Sequence, residues 1–259
     1  MSGLTLKVPE ELQEALLQEL LSVGFRKREV PGTKWSVSKE GVHLLLYPSG
    51  TLLLQGKGAP LFKDFLLSKV GLPQRCSVGC DESGKGDVFG PLVLCCALLR
   101  PDYYAKVLEL NLKDCKRIKD EEVLRKADLY SSFGEHTCKV VEPQELNAMH
   151  RQVGNLNRLL DRLYGELLEP LRAEHPFADF FVDAYSSKNP FGDWVVFEPG
   201  GEKRLPVAVA SVLARAEFLK WLKKRQLPKG SSPEVMTLAR ELHRKDPVES
   251  AKLLKTFFL

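Results

Sequence analysis

The sequence has no apolar run long enough to cross a bilayer. Its longest, such as 91–99, falls well short of the roughly 20 residues that a spanning helix needs. The first residues, MSGLTLKVPEELQEALLQEL, lack the basic start and unbroken apolar core of a secretory signal. Metal-binding cysteine patterns are thin as well. Cys76 and Cys80 are four apart, but no second close pair and no nearby histidine joins them, which argues against zinc. Cys95 and Cys96 sit in an apolar run and read as buried thiols. Neither sign of charge dominates: 38 Lys and Arg stand against 34 Asp and Glu, a net +4 that is weak support for a polyanionic partner. These absences point to a cytoplasmic globular protein with no membrane partner, and a monomer is expected.

The pattern along the chain divides in two. Residues 9–22, PEELQEALLQELLS, place apolar side chains at helical spacing, with Pro9 and two acids at the start and Gly24 after the end. Three short β-type runs follow, GTKWSVSKE, GVHLLLYPSG and TLLLQGKG, with the PSG turn marking a hairpin. A second helix is expected over 60–70. The order helix, three strands, helix makes a small α+β unit over 1–70, with a boundary near Gly71, Leu72 and Pro73. From 75 to 259 the expected strands are 77–80, 88–99 and 136–141, then FFVDA and DWVVFEP. Helices are expected over 120–131, 143–152, 155–172, from about 206, and over 233–243. Mixed strands and helices in this order suggest α/β or α+β architecture.

One stretch, GCDESGKGDVFGPLV, admits two opposed readings. Gly79, four residues, then Gly84 and Lys85 make most of a phosphate-cradling P-loop. That motif needs a Ser or Thr after the lysine and a helix starting there, yet Gly86 follows and Gly90-Pro91 is a poor helix interior. Two carboxylates, Asp81 and Glu82, would also repel phosphate unless a cation lies between. A divalent cation needs a few carboxylates converging from distant segments. Asp183, at the end of the apolar FFV run, is the best third candidate, though strand ends often carry an ordinary aspartate.

These residues resemble the first motif of the type 2 ribonucleases H, and in particular of the ribonuclease HIII subgroup. Further segments resemble that family in the same order: LKDCKRI (with Cys115 where the family has serine), LNAMHRQVGNLNRLL, AVASVLARAEFL and LPKGSSPEV. The likeness spans roughly 75–258. YPSGTLLLQGKG resembles the hairpin of the TATA-binding-protein-like unit that precedes the nuclease domain in HIII enzymes. The resemblance implies a ribonuclease H-like mixed sheet flanked by helices, preceded by a small α+β substrate-binding domain. It implies an endonuclease that cleaves the RNA strand of RNA–DNA hybrid duplexes with two Mg2+ or Mn2+ ions, in replication and repair.

Carried over residue by residue, the resemblance makes Asp81, Glu82 and Asp183 the first three metal-binding acids. Glu202 is the best match to the fourth, with Glu198 and Glu217 as rivals. Ser83, Gly84, Lys85 and Gly86 would meet the sugar and its 2′-hydroxyl. Lys113, Lys116 and Arg117 would meet phosphates. Ser211 would hold the nucleic-acid backbone, although it and Lys116 can equally be structural. In the first unit, Lys34, Tyr47, Thr51 and Gln55 would form a face against the duplex, with Lys57 and Arg26 to Arg28 supplying charge. Trp35 and Tyr47 also fit a core role. A fold kept only for binding is the rival, and a binder gains nothing from four carboxylates facing a polyanion.

Overall fold

The computed structural model describes residues 4–56, 75–112 and 118–259. The helix expected over 60–70, the boundary near 71–73, and Lys57, Lys113, Lys116 and Arg117 lie outside the described residues.

The first sheet is antiparallel. Its strands β1 (Leu4–Lys7), β2 (Arg26–Arg28), β3 (Trp35–Lys39), β4 (Val42–Leu46) and β5 (Thr51–Gln55) lie in the order β1-β5-β4-β3-β2. Helix α1 (Glu10–Ser22) starts after Pro9 with Glu10 and Glu11 in its first turn, where acids complement the exposed amides. Its Leu12, Leu16 and Leu20 pack with Val37, Leu44, Leu46, Leu52 and Leu54 in one buried cluster. The expected order of helix then three strands needs correction at two places. A strand precedes the helix, because Leu4–Lys7 pairs with β5, and Arg26–Arg28 joins as an edge through pairing with β3.

The second sheet is mixed. Strands β6 (Ser77–Ser83), β7 (Leu92–Leu99), β8 (Glu135–Val141), β9 (Asp179–Asp183) and β10 (Val195–Glu198) lie in the order β10-β9-β6-β7-β8. β9 runs parallel to both β6 and β10, while β6-β7 and β7-β8 are antiparallel. Helices α2 (Tyr104–Glu109), α3 (Asp120–Ser131), α4 (Pro143–Val153), α5 (Leu156–Glu174), α6 (Leu205–Arg225), α7 (Pro233–Lys245) and α8 (Pro247–Ser250) complete the unit. Leu159, Leu160 and Leu163 of α5 join the buried cluster of Val78, Leu94 and Val182 on one face. On the other lies α6, apolar around most of its circumference and buried from Leu205 to Ala214, as an all-round apolar helix must be.

Contact between α6 and β6 is close because of Gly79. A Cβ there would lie 2.2 Å from the Pro206 carbonyl carbon and from the Val207 nitrogen. Both are backbone atoms and cannot swing aside. Gly79→Ala is therefore expected to destabilise the protein by about 1–3 kcal/mol or more, the range for overpacking. Thermal unfolding checks this, and an unchanged melting curve would contradict the packing described.

Three further expectations are corrected by the second sheet. β6 does not stop at Cys80; it runs through Asp81 and Glu82, which pair with Cys95 and Leu94. β7 begins at Leu92 rather than 88, since Gly90 adopts φ +87° and Pro91 has no N–H to donate. Phe89 instead bridges to Leu254 near the C-terminus. Cys95 and Cys96 are buried but are not thiols. Successive strand residues face opposite ways, and each is directly opposed by a cysteine on a neighbouring strand. Cys80 bonds Cys96 and Cys95 bonds Cys138. Cys76 is the one unbonded cysteine among the described residues.

Candidate active site

Because β6 stays extended through its acids, their side chains leave on opposite faces. Asp81 goes to the α6 side and is 9% exposed. Its Oδ1 accepts the Glu82 N–H at 2.8 Å, and the Ser211 hydroxyl of α6 hydrogen-bonds its carboxylate. Glu82 goes to the α5 side, where its Oε2 accepts the Tyr164 hydroxyl at 2.6 Å. Its Oε1 lies 3.8 Å from Lys85 Nζ. Asp183 ends β9 beside β6, and its Oδ1 accepts the Gly201 N–H at 2.8 Å. Gly201 lies tight against Asp183: a Cβ would stand 3.1 Å from the Asp183 Cα. Glu202 is the next residue, on a short 3-10 turn.

Asp81, Glu82, Asp183 and Glu202 line one cleft of about 520 Å³, together with Ser83 to Asp87, Ser211, Arg215 and Lys229. The rivals for the fourth acid lie elsewhere. Glu198 is ion-paired with Arg204 at 2.6 Å and lines a different cavity, and Glu217 pairs with Lys220 at 3.1 Å on α6.

Burial pushes the Asp81 carboxyl well above the ordinary carboxylate range. Repulsion from Glu82 and then Asp183 adds to this, and the Ser211 hydrogen bond opposes it. Burial likewise raises Glu82, against the Tyr164 hydrogen bond and the Lys85 charge, while Asp183 adds repulsion. Desolvated, mutually repelling carboxylates of this kind are satisfied by a cation. Among the described residues no three acids, histidines or cysteines form a ready-made metal cage. An all-oxygen donor set spread along an open cleft still suits Mg2+ or Mn2+, which bind through one or two carboxylates and complete their shells with water and substrate phosphate. Asp81, Glu82, Asp183 and Glu202 are the residues that would hold them.

The glycine loop is a fixed structure. Gly84 has φ +87°, and a Cβ there would meet the Pro91 carbonyl at 2.2 Å, so the protein's own packing demands glycine. Gly86 differs: a Cβ would meet nothing within 4 Å. Lys85 Nζ donates to the Tyr185 carbonyl at 3.4 Å and lies 5.3 Å above the Tyr185 ring.

Ser211, expected to meet nucleic acid, lines the cleft and hydrogen-bonds the Asp81 carboxylate. In the first sheet, buried Leu44, Leu46, Leu52 and Leu54 fix the alternation, so His43, Thr51 and Gln55 fall on the face away from α1. Gln55 is exposed and Tyr47 is half-buried at the hairpin. Lys34 leaves that face, its Nζ donating to Gln13 of α1 at 2.9 Å.

Four residues were missed by the sequence reading. Arg215 and Lys229 line the cleft, both ion-paired to Asp120 at 2.6 Å. Against the effect of burial, those two partners hold the Asp120 carboxyl below its ordinary value. Both cations lie inside quoted motifs, AVASVLARAEFL and LPKGSSPEV, so position in those motifs was the available signal. Tyr164 and Tyr185, beside Glu82 and Asp183, carried no such signal.

Comparison with known proteins agrees with the architecture. The model of the ribonuclease HII family matches residues 78–249. Ribonuclease HIII of Aquifex aeolicus is 40% identical over 258 residues, covering 96% of this chain and 98% of that protein. The crystal structure of Aquifex aeolicus RNase H3 superposes with a TM-score of 0.64 at 36% identity, covering 99% of this chain and all of that one (100%). Bst-RNase HIII in complex with Mn2+ shares the fold, with a TM-score of 0.67 at 24% identity over 99% of this chain and 96% of that one. No helix among the described residues is long and apolar enough to cross a membrane. On the family match and the near full-length likeness to the Aquifex protein, the chain belongs to the type 2 ribonucleases H, in the ribonuclease HIII subgroup, and is a ribonuclease H hydrolase.

Proposed function

We propose that the protein is an endonuclease that hydrolyses the RNA strand of RNA–DNA hybrids with two divalent ions held by Asp81, Glu82, Asp183 and Glu202. One observation carries this: four carboxylates from three chain segments line a single cleft that Lys85, Arg215 and Lys229 also line. The acids suit metal, and the cations suit the phosphates of a duplex. When bound, the ions would activate water and stabilise the leaving 3′ oxygen, giving 5′-phosphate and 3′-hydroxyl ends. Bst-RNase HIII, of the same fold, binds Mn2+.

The chain's residues have separable tasks in this proposal. Gly86 borders open space, which favours close approach of a sugar and contact between backbone amides and its 2′-hydroxyl. Ser83, Gly84 and Lys85 set that loop beside the acids. Arg215 and Lys229 would exchange Asp120 for substrate phosphates, and Lys113 and Lys116 would add phosphate contacts. Ser211 orients Asp81. Residues 1–70 would serve as a substrate-binding unit and 75–259 as the catalytic one, with Tyr47, Thr51, Gln55 and Lys57 of the first unit against the duplex. The protein would act as a cytoplasmic monomer, removing RNA primers or R-loops. The Cys80–Cys96 disulfide is buried at both ends, so a reducing compartment would reach it slowly, whereas Cys138 leaves the Cys95–Cys138 bridge only half-buried.

Two labelled duplexes test this, one a continuous RNA–DNA hybrid and one with a single ribonucleotide in DNA. The hybrid is expected to be cut with Mg2+ or Mn2+ and to survive intact in excess chelator. Cleavage of the single-ribonucleotide duplex would extend the substrate range. Metal-independent cleavage, or none with either ion, would refute the proposal.

A further inference from the structure

Tyr164 sits on α5 beneath the acids and is fully buried. Its hydroxyl donates to Glu82 Oε2 at 2.6 Å. Its ring has no room to turn: it stacks on Tyr185 with centroids 5.5 Å apart and planes 7° from parallel, and meets Phe191 edge-on at 6.3 Å. Tyr185 follows Asp183 by two residues. Its own hydroxyl donates to Asp161 Oδ1 at 2.8 Å, and its carbonyl accepts from Lys85. The two rings thus join the ends of β6 and β9, the strands that deliver Glu82 and Asp183.

A glutamate side chain turns about three bonds and has two equivalent oxygens, so it does not choose by itself which oxygen faces a ligand. Here one oxygen is taken. Oε2 is bound by a donor whose ring packing fixes it, and Oε1 is left on the side of Lys85, which lines the cleft. We propose that Tyr164 is a positioning residue, whose buried hydroxyl locks Glu82 so that Oε1 is the oxygen presented to a divalent cation. Hydrogen-bonded partners of ligating groups commonly act this way, and losing one typically costs 10–100-fold in metal affinity or activity. The role rests on the metal-binding function proposed above for Glu82.

Tyr164→Phe removes the hydroxyl and keeps the ring, so stacking on Tyr185 should survive. Mn2+ binding without substrate, by calorimetry or by the resonance of the free ion, is expected to weaken by ~10-fold or more. The metal concentration for half-maximal cleavage should rise in step, with KM for hybrid little changed. Mn2+ affinity equal to the wild type would overturn the proposal. A double-mutant cycle separates positioning of Glu82 from general damage to the fold: in a Glu82→Gln background the same change should cost Mn2+ affinity nothing further, and an equal loss there would also overturn it. A wild-type protein that binds no Mn2+ would instead remove the metal role of Glu82, and with it the proposed function as well.

Discussion

Asp81→Asn is expected to reduce hybrid cleavage by ~10³-fold or more, equivalent to about 4 kcal/mol of barrier, while raising the melting temperature of the metal-free protein. Both halves follow from one environment. Asp81 is nearly buried, next to Glu82 in sequence and close enough to Asp183 to feel its charge. Its ionised form is disfavoured on each count, with the Ser211 and Glu82 N–H hydrogen bonds as partial relief. A site that keeps such a group without metal gives up stability for function. Asparagine retains a carbonyl oxygen to accept the Glu82 N–H and removes the charge. The fold should gain and the metal should lose a ligand. Activity assays on hybrid and unfolding curves in chelator report the two effects separately. Cleavage at the wild-type rate would end the assignment of Asp81, and a lower melting temperature in chelator would end the electrostatic account of the site.

Legibility in the sequence followed the range of the interactions that shape each element. α3 was readable over its full length, Asp120–Ser131, because its acidic first turn and its apolar spacing are local. α6 was readable from its apolar content alone. β1 and β2 were not. β1 has four residues and becomes a strand by pairing Leu4 with Leu54, and β2 is three exposed basic residues held by β3. The cysteines divide in the same way: burial was legible from the apolar run, while the pairing depended on the β6-β7-β8 register. At the site, Asp81, Glu82, Asp183 and Glu202 carried motif signals, and the structure brings all four to one cleft. Tyr164 is 82 residues from the carboxylate it contacts, so only the folded chain shows the pair.

Lys255→Met is the second large effect, and it acts on the glycine loop from behind. Lys255 is fully buried, and its ammonium donates to the carbonyls of Asp87 at 2.8 Å, Gly90 at 2.7 Å and Phe89 at 3.4 Å. Its backbone N–H reaches Val88 O at 2.8 Å, and Gly90 N–H returns to Leu253 O at 2.9 Å. Asn147, also buried, holds the same C-terminal segment through Leu254 O and the Thr256 N–H. Nζ thus meets three carbonyls of the loop that carries Gly84, Lys85 and Gly86, with three N–H donors when charged and two when neutral. Methionine fills the stem's volume but donates nothing. Each stranded carbonyl costs about 1–3 kcal/mol, against which the variant no longer buries an ammonium, and a net loss on the order of 2 kcal/mol remains. KM for hybrid should rise as the loop loosens. The pH dependence identifies the cause. Burial lowers the Lys255 ammonium from its ordinary 10.5 to about 7, with Asp87 opposing. Between those values the unfolded chain binds the extra proton, so stability rises with pH there. Wild-type stability relative to Lys255→Met should be greatest above 10.5, fall as the pH drops towards about 7, and level off below it. Denaturant unfolding of both proteins from about pH 6 to about pH 9 measures the difference directly, since other titrating groups cancel between them. Parallel pH profiles would show that Lys255 is not the group responsible, and unchanged stability would show that the loop does not depend on it.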